Sequence, residues 1–150
     1  MFRNVIAGVM LLLTLGVSGC ASVPMGPSEE DLALKQFPAP PENMAGLYVY
    51  RDSFMGQALK KTVALDGKTL GETANGIYFY KVISPGKHTL ATESEFSDNL
   101  LSFEADADKN YFVEQYMKMG VFVGGAGLKM IDETTGMSAV RECCRLAASQ

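Results

Sequence analysis

The chain has no tryptophan, one histidine and three cysteines in 150 residues, and each scarcity removes a class of chemistry. His88 alone cannot build a multi-histidine metal centre, and it leaves any catalytic triad only one possible base. Cys143 and Cys144 are adjacent, so the Cys-x-x-Cys spacing of a redox pair is missing. There is no basic run, and the formal net charge is −4. Nucleic acid and anionic lipid headgroups are therefore poor partners on electrostatic grounds. No Ser-His-Asp pattern, metal-ligand cluster or lysine-bearing phosphate loop is present, so the reading is of a protein that is not an enzyme and takes no metal or cofactor.

What is present begins with an address. Arg3 supplies a positive n-region, Val5 to Leu15 an apolar stretch of about eleven residues, and Val17-Ser18-Gly19 the small residues before a cleavage point. Eleven residues fall well short of the roughly 20 that span a bilayer, so residues 1–19 read as a removed signal peptide. Val17-Ser18-Gly19-Cys20 resembles the lipobox of bacterial lipoproteins. That resemblance implies a diacylglyceryl thioether on Cys20 and anchoring to the membrane through it. Ala21-Ser22 follows, with no aspartate at the second position, which in enteric-type sorting implies the outer membrane. Loss of Arg3 with the leader takes the formal charge from −4 to −5.

Residues 20–45 read as a tether. Five of the six prolines lie there, at positions 24, 27, 38, 40 and 41, which favours extended, semi-rigid chain. Ser28-Glu29-Glu30-Asp31 looks like a capping box ahead of a short helix, Glu29 to Gln36. From position 46 to 150 the pattern is of short β-type runs between turn residues, as in a small antiparallel sandwich of about seven or eight strands. The runs are Leu47–Tyr50, Leu59–Leu65, Lys68–Glu72, Ile77–Ile83, Lys87–Glu93, Leu100–Ala105, Tyr111–Met117 and Leu128–Glu133. Asp66-Gly67 is a two-residue hairpin signal, and Pro85-Gly86 fits the centre of a type II turn. The unbroken apolar character of Ile77–Ile83 predicts a strand covered on both faces. Thr134 to Gly136 reads as a break, and Met137–Ala147 as a short closing helix.

Tyr48-Val49-Tyr50-Arg51, Leu65-Asp66-Gly67-Lys68, Gly76-Ile77-Tyr78-Phe79 and Pro85-Gly86-Lys87-His88-Thr89-Leu90 together resemble a family of small bacterial lipoproteins. Its domain is uncharacterised and carries the label DUF2846. The turn pattern is also similar to envelope PEGA-type modules, which are small β-sandwiches. The resemblance implies fold and compartment and brings no catalytic residues.

Among individual features, His88 shares a face with Leu90 and reads as a buried histidine bonded to a backbone carbonyl. Asp106-Ala107-Asp108-Lys109-Asn110 begins like a calcium loop but has Tyr111 and Met117 where the motif needs glycine and glutamate. With Glu93, Glu95, Asp98 and Glu104 nearby in sequence, it reads as one solvated acidic end. Adjacent Cα atoms about 3.8 Å apart exclude an ordinary Cys143–Cys144 bridge, leaving free buried thiols or pairing between chains. The glycine-rich stretch Gly120 to Gly127 carries Val121, Phe122 and Val123, either as a bent strand or as an exposed apolar loop that meets a partner or the membrane.

The expectation is a lipid-anchored periplasmic envelope lipoprotein acting as a non-enzymatic interaction or structural module, with another envelope protein as a possible partner. The alternative is a binder or carrier of a small apolar ligand within the sandwich.

Overall fold

A computed structural model describes residues 19–150, and the signal peptide expected over residues 1–19 lies outside the described residues but for Gly19. In chain order the elements are α1 (Ser28–Leu34), β1 (Ala45–Arg51), β2 (Lys61–Leu65), β3 (Lys68–Thr73), β4 (Ile77–Ile83), β5 (Gly86–Thr92), β6 (Asn99–Ala105), β7 (Asn110–Lys118), β8 (Gly125–Ile131), α2 (Glu133–Cys143) and β9 (Arg145–Leu146). They form a sandwich of two sheets, one of order β8-β7-β1-β4-β9 and one of order β3-β2-β5-β6. Most pairings are antiparallel, but β1–β7 and β4–β9 are parallel. Alternation of apolar residues is the same in both directions, so the pattern carries no sign of this.

The core lies between the sheets and holds Leu47, Val49, Val63, Phe79, Leu90 and Val113. A second apolar layer covers the outer face of the five-stranded sheet, where Tyr48, Tyr78 and Phe112 meet Leu34, Phe37 and Val140. The central strand β1 is therefore buried along its whole length. In β4 both faces are covered only over Ile77–Phe79, and Lys81 and Val82 are exposed. The hairpin signals hold: Asp66 (φ 49°) and Gly67 (φ 78°) are both left-handed, as a type I′ turn requires, and Gly86 follows Pro85 at φ 119°.

Several local expectations are corrected. Residues 20–45 are not a free tether but an arm laid along the domain. Met25 bridges Ala147, the Gly26 and Ala148 N–H groups donate to Leu146 and Pro24 carbonyls at 2.9 Å, and Val23, Leu34 and Phe37 are buried. The reason is that Leu34 and Phe37 find cover on the outer face of the five-stranded sheet and Val23 finds it in the core between the sheets. The capping box does not form, since Pro27 is the N-cap and Ser28 is already helical. Thr134–Gly136 is no break: Asp132 caps α2 by accepting the Thr135 N–H at 3.0 Å. Gly136 sits inside the helix because a Cβ there would overlap Phe112. Leu146 leaves the helix to pair with β4.

Cys143 and Cys144 are neither free nor paired between chains but joined as a vicinal disulfide, with Cα atoms 3.7 Å apart. The backbone passes from helical to extended at Cys144 (φ −127°, ψ 152°), and that change lets both sulfurs meet.

Candidate functional site

The register of the ladders puts four connections at one end of the sandwich. Strands β1, β3, β5 and β7 finish there, and β2, β4, β6 and β8 start there. The two sheets meet at this end, where the Ala126 N–H donates to the Glu93 carbonyl at 3.3 Å and Asn99 Nδ2 to the Ala126 carbonyl at 2.5 Å. Three of the connections, residues 52–60, 93–98 and 119–124, carry Phe54, Met55, Phe96, Met119, Val121, Phe122 and Val123. These are seven of the twelve exposed large apolar side chains among the described residues. Val121, Phe122 and Val123 are 76%, 85% and 56% exposed. The apolar-loop reading of Val121-Phe122-Val123 therefore matches the geometry, while Gly125–Gly127 belong to the buried start of β8.

Cys20 lies at the same end, its Sγ 4.0 Å from Gln57 Oε1. The next residue is tied down: the Ala21 N–H donates to the Gln57 carbonyl at 2.9 Å. The 52–60 connection that receives it is held from below by Arg51. This fully buried guanidinium donates to the carbonyls of Leu59 at 2.8 Å and Gly56 at 2.6 Å, and burial lowers its pKa. The glycine-flanked loop is held by Glu95, whose carboxylate accepts the N–H groups of Val121 (2.6 Å), Phe122 (2.5 Å) and Val123 (3.3 Å). Slight desolvation pushes the Glu95 pKa up, but those three N–H groups outweigh it and hold the carboxyl below its usual range.

Glu95 and Arg51 were not legible as site residues. The signal for Glu95 exists only in combination, because the acceptor for three consecutive loop N–H groups comes from a neighbouring hairpin about 26 positions away.

The family described as "Protein of unknown function (DUF2846)" matches residues 41–126. The chain belongs to the DUF2846 family. An uncharacterized protein of Haemophilus influenzae is 49% identical over 138 residues, covering 92% of this chain and 80% of the relative. No solved structure matches. The DUF2846 match spans all three apolar connections together with Arg51 and Glu95, and leaves residues 20–40 of the arm, most of β8, α2 and β9 outside it.

The opposite end of the DUF2846 domain is polar. Asp106–Asn110 lies there, not beside Glu93, Glu95 and Asp98 as the sequence order implied, because β6 separates the two groups by about 20 Å. Lys109 Nζ pairs with Asp106 at 2.8 Å, and Asp108 accepts the Asn43 N–H at 3.1 Å. Among the described residues no group of three or more His, Cys, Asp and Glu side chains is placed to hold a metal ion. His88 is buried here, with Nδ1 2.6 Å from Asp66 Oδ2 and Nε2 2.7 Å from the Ser84 carbonyl. Both partners accept, so the two contacts favour the doubly protonated ring. Burial pulls its pKa down, but the Asp66 and Ser84 contacts outweigh that and the net direction is up. The ring links the two hairpin turns and has no nitrogen free to act as a base. A hollow of about 280 Å3 opens at Phe37, Pro40, Asp108, Asn110 and Glu133. It is open and mainly polar.

Proposed function

We propose that the chain is a lipoprotein of the bacterial envelope, acylated on Cys20, held at the outer membrane and facing the periplasm, whose sandwich serves as a non-enzymatic interaction or structural module. The observation that carries this reading is a coincidence of position. The cysteine that follows the leader and the densest group of exposed apolar side chains occupy the same end of the domain. Cys20 is an exposed free thiol, open to an acyl donor. Two or three acyl chains, at about 0.8 kcal/mol per buried methylene, anchor firmly where one is marginal. No described helix is long and apolar enough to cross a membrane, so lipid on Cys20 is the attachment for which the sequence offers direct support. In cells labelled with palmitate, Cys20→Ser should abolish incorporation and leave the chain soluble or uncleaved. Undiminished label in that variant would refute the reading.

A further inference from the structure

We infer that the loop end is a membrane-contact surface, in which Phe54, Phe96 and Phe122 from three connections enter the headgroup region of the bilayer that holds Cys20. The inference rests on acylation of Cys20, and it adds what that acylation alone does not require: a fixed orientation of the domain against the lipid.

Three observations lead to it. The first is reach. A long tether would leave the domain free to tumble above the surface, but here Ala21 is hydrogen-bonded to Gln57. The acylated residue is thus one Cα step, about 3.8 Å, from a backbone clamped to the 52–60 connection. Lipid attached to Cys20 brings its bilayer to this end and to no other. The second is composition. The three connections present side chains from 51% to 88% exposed, with Phe54, Met119 and Phe122 at the upper limit. An apolar, aromatic rim that gathers seven of the twelve exposed large apolar side chains is the chemistry of insertion at the headgroup and acyl boundary, which such groups penetrate by about 5–10 Å. Charges flanking the rim nearly balance, with Asp52, Glu93 and Asp98 against Lys60, Lys61 and Lys118. The matching surface is therefore neutral lipid, not anionic lipid.

The third is the Glu95 clasp. A backbone N–H moved out of water without a partner is costly, so a loop that enters a membrane must satisfy its amides internally. The tip bearing Val121, Phe122 and Val123 does so: all three N–H groups are taken by one carboxylate. A tip that stayed in water would need no such arrangement. The same bonds spend the Glu95 charge on the loop itself.

The absence of tryptophan gives a direct test. Phe54→Trp, Phe96→Trp and Phe122→Trp each introduce a sole indole at the rim, and Lys87→Trp places one at the exposed start of β5, the opposite end, as a control. The acylated protein is purified from membranes and reconstituted into phosphatidylcholine vesicles with brominated acyl chains, with the Cys20 adduct read by mass spectrometry. The expected result is blue-shifted emission, mostly lost to bromine, for the three rim probes and unshifted, unquenched emission for Lys87→Trp. Rim probes that emit as in water on protein carrying the Cys20 adduct would overturn the contact surface and leave the anchor standing. Protein without the adduct would overturn the anchor and this inference with it. Equal quenching at all four positions means adsorption without orientation and overturns the inference. So does a blue shift that resists bromine and vanishes at one copy per vesicle, which identifies a second copy of the chain as the cover.

Discussion

Truncating Phe122 to alanine asks whether the 119–124 loop is a presented surface or a disguised piece of core. The side chain is 85% exposed, so the fold buries only about one-seventh of it. Full burial of a phenylalanine contributes roughly 1.5–3 kcal/mol, and one-seventh of that is about 0.2–0.4 kcal/mol. For a domain of this size, with a melting temperature that moves by about 4 °C per kcal/mol, the change should stay within about 2 °C. Phe112 is the matched comparison. It is fully buried, stacked on Tyr48 at 4.9 Å and edge-on to Phe37 at 5.7 Å. Its truncation should cost about 3–5 kcal/mol, since a large cavity opens between the sheet and the two helices. Urea unfolding followed by circular dichroism, run in parallel on Phe112→Ala and Phe122→Ala, reads both quantities. A loss above about 1.5 kcal/mol for Phe122→Ala would mean that the loop packs on its own domain, and the contact surface would fall with it. A stable Phe122→Ser variant that keeps every envelope cross-link and every lipid contact of the wild type would remove the loop as a site.

Two further outcomes follow from the described geometry. Gly136→Ala should destabilise the protein although it improves helix propensity by about 1 kcal/mol, because the added Cβ overlaps the Phe112 side chain and overpacking costs about 1–3 kcal/mol; a raised urea midpoint would show that α2 stands further from the sheet. The His88–Asp66 pair should make stability depend on pH at both ends: the raised His88 pKa contributes fully below about pH 6.5 and is lost as pH rises through the folded value, whereas the lowered Asp66 pKa contributes above about pH 3.9 and is lost as pH falls through its own. His88 is the only histidine, so unfolding free energies measured between about pH 6 and about pH 8 should slope down in the wild type and flatten in Asp66→Asn; parallel slopes would assign the dependence elsewhere.

Much of the sandwich was legible because its signals are local. Alternation over Val63 and Leu65, left-handed turn chemistry at Asp66-Gly67 and the Pro85-Gly86 turn each involve residues a few positions apart, and each survives in the fold. What failed was decided by distant partners. Residues 20–45 look like linker when their prolines are counted, yet Val23, Leu34 and Phe37 find cover on the domain, and burial outweighs the stiffness of the chain. Gly136 looks like a break because glycine is a poor helix former, yet close approach to Phe112 makes glycine the residue that fits. Cys143 and Cys144 look unable to pair until the backbone changes conformation between them.

The site divides in the same way. By itself the sequence determined that an apolar triplet sits between glycines, that Cys20 follows a leader-like stretch, and that His88 is too solitary to build a metal centre. Each of these is a property of composition or of neighbours along the chain. Only the tertiary structure decided that Phe54, Phe96 and Phe122 share one end with Cys20. It alone decided that Glu95 closes the loop and that Arg51 holds the connection beneath it. Those residues are separated by tens of positions and are joined by strand register and hydrogen bonds, and a linear pattern carries no information about which ends of which strands coincide.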